Sequence, residues 1–306
     1  MTSLTACTAL LALITPAGPP REGPPADPKA AVSALEKMHA SLERDGDGIV
    51  TGVRLHPQGG ALDDALPHLR HLTRPARLAL STDNLSADGF LALGRLPALI
   101  EVELHAPEVR EGPGSGGAAP CPRLPWDKLP RVRTVRLTGG GVGDAQLRDL
   151  SASPGIQNLF LNQVAVSDEG LAHLRGMKTL ELLSVQSSKV TAGGVKALVG
   201  IENLKSLTLS ATALGRDGFR PLGGMAGLEY LSLESTTATD DDVAHLAVLA
   251  KLTQLDLGYN PGVTDAGLKH LTGLRRLAGL RLYGTKVTDD GVAELKGSLP
   301  KLAVGK

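Results

Sequence analysis

Apolar positions recur at a fixed step along most of this 306-residue chain. The clearest unit is residues 252–271, LTQLDLGYNPGVTDAGLKHL, in which Leu252, Leu255 and Leu257 are followed by Val263, Leu268 and Leu271. The first trio returns as Val132/Val135/Leu137, Ile156/Leu159/Leu161, Leu180/Leu183/Val185, Leu204/Leu207/Leu209, Leu228/Leu231/Leu233 and Leu277/Leu280/Leu282, stepping by 24 residues and by 25 at the end. Its last two members alternate with period two, so they share one face of a short strand and the residues between them face away. A second trio follows in each unit: Val166/Leu171/Leu174, Val190/Val195/Leu198, Leu214/Phe219/Leu222, Ala238/Val243/Leu246 and Val287/Val292/Leu295. Its last two members are three residues apart, a helical spacing. Strand and helical turn together enclose too little core to stand alone, so the units must stack.

The residues between the trios fit this picture. Counting the first leucine as one, the ninth position holds Ser188, Thr212, Thr236, Asn260 and Thr285, with Gly140 and Val164 as exceptions. Short hydroxyl and amide side chains there can bond the backbone groups that a turning chain leaves open. Next comes V-[ST]-D-x-G, at residues 166–170, 263–267 and 287–291. Its Ser or Thr reads as a helix N-cap, and its Asp puts a negative charge in the first turn, where the helix dipole favours it.

Three degenerate units precede these, with strand cores at Val50/Val53/Leu55, Pro75/Leu78/Leu80 and Leu99/Val102/Leu104, for about ten repeats in all. Between Val102 and Val135 the step lengthens to 33 residues, which places an inserted loop at 106–126. Its low complexity reads as a mobile loop, although it holds the chain's one Trp and the second of two cysteines. Residues 29–44 read as an N-terminal capping helix, with Asp27 as cap, Pro28 in the first turn and a stripe of Val32, Leu35, Met38 and Leu42. The repeat domain then spans 45–306.

Residues 1–17 read as a signal or lipoprotein-type segment: Met1–Ile14 is apolar and is followed by the small residues Thr15 and Ala17, although no Lys or Arg precedes the run. Leu4-Thr5-Ala6-Cys7 resembles a lipobox with Cys7 as the lipidated residue, though it stands before the apolar run. Residues 18–28 are a Pro-rich linker. The setting this predicts is exported, periplasmic or membrane-anchored, with a cytoplasmic location as the alternative. The apolar run is too short to span a bilayer, so a lipid anchor is the one membrane contact expected. Cys7 and Cys121 are poor disulfide partners, because processing would remove or lipidate Cys7. Only a few residues follow the last repeat, and no appended catalytic domain is expected.

Lys plus Arg equals Asp plus Glu, at 32 each, so no basic excess marks a nucleic-acid partner. Asp45-Gly46-Asp47-Gly48 opens like a calcium loop, but the twelfth position is His56 and the intervening residues supply too few oxygens. His173, His245 and His270 share one column, and structural zinc would need four ligands. No hydrolase, metalloprotease or phosphate-loop motif is present. The expectation is therefore no metal, no cofactor, no catalytic residue, and not an enzyme.

The strand residues that face away from the core are the candidate binding set. The middle column reads Arg54, Ala79, Glu103, Arg136, Phe160, Ser184, Thr208, Ser232, Asp256 and Arg281, and Tyr230 and Tyr283 stand in the flanking columns. Small hydroxyl and amide side chains fill the centre. Around them Arg54, Glu103, Arg136, Phe160, Tyr230, Asp256, Arg281 and Tyr283 form the candidate partner-binding set, being of the types that hold protein interfaces. A plain soluble sheet face would also be polar there.

A period of 24 with L-x-x-L-x-L at its centre is the signature of a leucine-rich repeat. The repeats from Ile49 to Leu299 resemble leucine-rich repeat proteins of the T-D-x-G-L type, close to the cysteine-containing and ribonuclease-inhibitor-like subclasses. Residues 30–55 are similar to a bacterial branch often exported or lipoprotein-like. The resemblance implies an α/β solenoid, with a curved parallel sheet on the concave face and short helices on the convex face. It also implies binding of a protein or peptide on the concave face, without catalysis; the chain is expected to be monomeric. The alternative is an exported or membrane-anchored structural protein of the cell envelope.

Overall fold

The computed structural model describes residues 27–55, 62–72, 74, 76–81, 86–94, 96, 98–106, 126–212 and 214–306. Helix α1 (Pro28–Lys37) leads into strand β1 (Ser41–Arg44), which pairs antiparallel with β2 (Val50–Arg54). From β2 onward every strand is parallel: β3 (Arg77–Ser81), β4 (Glu101–His105), β5 (Thr134–Thr138), β6 (Asn158–Asn162), β7 (Leu182–Gln186), β8 (Ser206–Thr208), β9 (Tyr230–Ser232), β10 (Gln254–Asp256), β11 (Gly279–Arg281) and β12 (Ala303–Gly305). Each strand pairs only with its neighbours in sequence, giving one open twelve-stranded sheet. The register follows the apolar period: Val53 lies against Leu78, Leu78 against Val102, Val102 against Val135, and so on through Leu255 against Leu280. The first and last residues of nearly every strand trio from Val132 to Leu282 are buried together with the helical trios in a continuous core. This is the α/β leucine-rich repeat solenoid.

The helical side alternates with the strands: α2 (Leu62–Leu69), α3 (Ala87–Leu93), α4 (Asp144–Leu150), α5 (Asp168–Ala172), α6 (Ala192–Leu198), α7 (Asp240–Ala244), α8 (Asp265–Lys269) and α9 (Asp289–Ser298). The N-cap reading of the Ser and Thr is met directly, since the Ser167 and Thr264 hydroxyls accept from Glu169 and Ala266 N–H. The Asp does more than complement a dipole, because its carboxylate reaches the cap of the next repeat. Asp144 accepts from Ser167 N–H (2.8 Å) and Ser167 Oγ (2.6 Å). Asp168 does the same for Thr191, Asp240 for Thr264 and Asp265 for Thr288. The motif's glycine has its reason here too. A Cβ on Gly170, Gly267 or Gly291 would run into the carboxylate of Asp144, Asp240 or Asp265 from the repeat before. The ladder breaks at Ala192, which offers no carboxylate, and the following repeat carries short 3-10 turns at Arg216–Gly218 and Arg220–Gly224 in place of an α-helix.

The structure departs from the sequence reading at three places. The helix expected over 29–44 ends at Lys37, because His39 adopts a left-handed φ of 59°. Bonds from His39 N–H to Glu36 C=O and from Ala40 N–H to Leu35 C=O, both 3.0 Å, then close the helix end. Leu42 therefore lies in β1, opposite Val53. Secondly, β12 adds an eleventh parallel strand after the ten expected, with Val304 against Leu280. Thirdly, the ends of the expected loop 106–126 belong to the core. Ala106 and Trp126 are both buried, and the Trp126 ring meets Phe90 edge-on at 5.3 Å between centroids. Residues 107–125 between them lie outside the described residues, as do residues 1–26 with the expected signal segment, Cys7 and most of the Pro-rich linker, and Pro75 and Cys121.

Candidate functional site

The parallel sheet saturates its own backbone, so what its open face can do depends on side chains. Those predicted from sequence fall into two groups separated by a stretch of small residues. Arg54, Glu103, Arg136 and Phe160 lie on β2 to β6, and Tyr230, Asp256, Arg281 and Tyr283 lie on β9 to β11 and the turn after it. Between them Ser184 and Ser232 are buried, and Ser232 Oγ lies 3.3 Å from Ser210 Oγ. The structure thus does not gather the eight residues into one patch.

In the N-terminal group the charges face one another. Arg136 Nε donates to Glu101 Oε1 at 2.7 Å, and its guanidinium carbon sits 3.9 Å from the centroid of the Phe160 ring. Arg77 donates to the same Glu101 oxygen at 2.9 Å and approaches Glu43 at 3.6 Å. Arg54 reaches Glu103 at 3.6 Å across β3, where the intervening residue is the small Ala79. Burial pushes the Glu101 carboxyl up, and the hydrogen bonds from Arg77 and Arg136 with their positive charge outweigh it, leaving the group below the usual carboxylate range. The Arg77 guanidinium is held above its ordinary value, chiefly by its bond to Glu101. Every charged member of this group already has an opposite charge within the chain.

Sequence reasoning missed Glu101, Arg77 and Glu43. The signal was present: Glu101 occupies the flanking column one strand before Thr134, diagonal to Arg136, where a long side chain reaches its neighbour.

The C-terminal group is open. Asp256 is only 7% exposed, and its Oδ1 accepts from Gly258 N–H at 2.9 Å. Its other oxygen meets Arg281 Nη1 at 3.4 Å, a long contact that leaves the Arg281 side chain 66% exposed. Tyr283 is 49% exposed and stands above Gly305 of the last strand; a Cβ on Gly305 would lie 3.0 Å from the phenol oxygen. Tyr230 sits in the opposite flanking column, beside Gln254 and Ser206, so the middle column separates it from Tyr283.

Tyr259 was not predicted. It follows β10 at the position where every repeat from β5 to β11 turns through left-handed backbone: Gly139, Gln163, Ser187, Ala211, Ser235, Tyr259 and Gly284. Two of the seven are glycine, and Tyr259 is the one aromatic, with φ 55° and 59% exposure. Reading the turn column beside the strand columns would have found it. A recess of about 330 Å³ lined by Pro28, Val32, Ile49 and Leu72 lies at the other end of the molecule, away from these columns. Among the described residues there is no group of three or more metal-ligating side chains.

A family model described as leucine-rich repeat matches residues 248–271, the stretch that runs through β10 into α8. Among solved structures, the crystal structure of an internalin from Listeria monocytogenes is similar over 78% of this chain and 69% of its own, with 17% identity and a TM-score of 0.48. No curated protein matches. The repeat period and the in-register parallel sheet show the fold of a leucine-rich repeat solenoid, and the matched family model covers one of its units.

Proposed function

We propose that this chain is a non-catalytic interaction module that binds a protein or peptide through the open, concave face of its sheet, chiefly through the C-terminal half. The observation that carries this reading is the contrast in side-chain commitment. Arg136 is stacked and bonded within the chain, whereas Arg281, Tyr259 and Tyr283 project from the C-terminal repeats with about half or more of their surface exposed. Exposed tyrosine and arginine on a pre-formed surface supply contact area at little entropic cost. The candidate residues include no nucleophile paired with a base, which fits a binding role.

Affinity capture from the native cells tests this. The wild-type chain is compared with a folded variant altered at Arg136, Phe160, Tyr230, Asp256 and Arg281. A protein retained by the wild type and lost by the variant is the expected result; identical capture by both would move binding off this face.

The second reading concerns setting rather than contact. The apolar run Met1–Ile14 favours an exported chain, either cleaved or anchored through a lipid on Cys7. Among the described residues no helix is long and apolar enough to cross a membrane. Intact-mass analysis of the native N-terminus distinguishes these states: a diacylated Cys7 fixes an anchored protein, and an unmodified Met1 removes the export reading.

A further inference from the structure

The last repeats carry an expense that folding does not require. Left-handed backbone disfavours bulky side chains, and such strain concentrates where function needs it. The scaffold accepts Gln163, Ser187, Ala211, Ser235 or a glycine at the equivalent turns. Tyr259 instead places an exposed ring there, against the next repeat. A Cβ on Gly284 would stand 2.9 Å from Tyr259 Cδ1, so Gly284, itself left-handed at φ 69°, leaves the ring its space. Tyr283, in the flanking column of the next repeat, packs above Gly305, and Tyr259 N–H donates to Tyr283 C=O at 2.5 Å. Two exposed tyrosines thus belong to neighbouring repeats joined by a backbone bond, Tyr259 packed against Gly284 and Tyr283 against Gly305.

The distribution of aromatics points the same way. The chain has three tyrosines, and all of them lie between 230 and 283. By contrast Phe90, Trp126 and Phe219 are buried core, and Phe160 is covered by Arg136. Beside the tyrosine pair stands Arg281, whose planar guanidinium carries five donors in a fork suited to a carboxylate. Among the described residues its charged partner is Asp256, which holds it by a single long contact.

We infer that Tyr259, Tyr283 and Arg281 form a docking subsite for an extended peptide segment that carries an acidic side chain next to an apolar one. This deepens the proposed binding function and rests on it. The carboxylate lies on the exposed guanidinium of Arg281, and the apolar side chain packs on the two rings. Sheet extension is not the mode, because β10 and β11 are already paired on both sides. An oligosaccharide fits less well. It would need a dense set of polar groups beside the rings, and Asp256, the carboxylate that meets Arg281, is buried and bonded to Gly258.

The test uses a random twelve-residue peptide library on phage, selected against the immobilised full chain. The variants restore residues that the same scaffold positions carry elsewhere: Tyr259→Ser as at Ser235, Tyr283→Gln as at Gln186, and Arg281→Ser as at Ser232. Expected are enriched peptides that pair Asp or Glu with a neighbouring apolar residue. Their affinity should fall at least tenfold in each variant and stay unchanged in Arg175→Ser, on the exposed helical side, while the melting temperature of Tyr259→Ser stays equal or rises.

Several results would overturn the subsite. One is an enriched set without acidic residues. Another is binding indifferent to Tyr259→Ser, Tyr283→Gln and Arg281→Ser but lost in Arg136→Ser, which would leave the wider open-face reading standing. A third is no enriched peptide together with retention of sodium polygalacturonate. If selected peptides bind regardless of every one of these substitutions, the open-face reading fails as well. A drop in melting temperature on Tyr259→Ser would make Tyr259 part of the scaffold and remove the argument from strain.

Discussion

The two ends of the open sheet face are built from similar residue types and do opposite things with them. On β2 to β6 the arginines face glutamates one or two strands away, and Arg136 also covers Phe160. On β10 and β11 the same chemistry is left outward, with Arg281 largely exposed and Tyr259 and Tyr283 beyond it. An arginine or an aromatic on a strand face is therefore no binding site by itself. What decides is whether the neighbouring strand offers a partner, and strand spacing of roughly 5 Å puts that partner one repeat away in the alignment.

The strongest way to break the comparison is to sever the two ends. Leu207 on β8 is fully buried between them, and Leu207→Asp puts an unpaired charge in a thin core. We expect a loss of about 4 kcal/mol or more, with cooperative melting by circular dichroism replaced by separate transitions or none. An unchanged melt would mean that the strand register is wrong.

Next in size is Asn260→Ala. The Asn260 side chain is buried; its Oδ1 accepts from Thr236 and Ala238 N–H, and its Nδ2 donates to Leu233, Leu257 and Gly258 C=O. Removing it leaves several buried backbone groups unpaired, at a cost of about 3 kcal/mol by denaturant titration. The loss should appear as faster hydrogen exchange in repeats 228–282 and not in the N-terminal charge cluster.

Glu101→Gln sharpens the difference from the other end. It removes the anion that Arg77 and Arg136 share and should cost about 1–2 kcal/mol. The same residue gives this end a pH response. Because the folded Glu101 carboxyl titrates below its unfolded value of about 4.3, its contribution is complete above that pH and is lost as the pH falls through the lower folded value. Acid melting curves of Glu101→Gln and wild type should therefore converge as the pH falls through the lowered folded value. A constant gap at all pH values would mean that the carboxylate charge plays no part.

Asp240→Ala removes three inter-repeat bonds, to Thr264 N–H, Thr264 Oγ and Gly267 N–H, and should cost about 1 kcal/mol in thermal melting. Smallest in stability is Arg281→Ser, within about 0.5 kcal/mol of wild type, because the exposed side chain has one long contact. That substitution should nevertheless have the largest effect on binding. A large stability loss would place Arg281 with the self-paired arginines and erase the contrast.

Much of this architecture was legible because a repeat writes each structural requirement many times over. Ten strand cores and the Ser/Thr caps follow from the period alone. What the period hid was whatever happens once or between units. Strand β1 was concealed because Leu42 continues a helical spacing, and only the left-handed turn at His39 shows that the helix has stopped. Strand β12 has a single inward residue, Val304, set between Ala303 and Gly305, so no leucine pattern marks it. The role of the motif's Asp, bridging to the next repeat over a glycine, needs two units seen together. In the candidate set, the residue types were readable but their partners were not. Glu101 neutralises Arg136 from a column that was not weighed, and Tyr259 stands in a turn column that reads as scaffold.

The central claim, that contact is made by the C-terminal half of the open face, is tested most directly by site-specific photo-crosslinking in the native cells. A benzophenone side chain is placed at position 283 in one variant (Tyr283→p-benzoylphenylalanine) and at position 103 in another (Glu103→p-benzoylphenylalanine). A discrete crosslinked protein from position 283 and none from position 103 is the predicted result; the reverse would put the working surface on the charge-paired end and contradict the account.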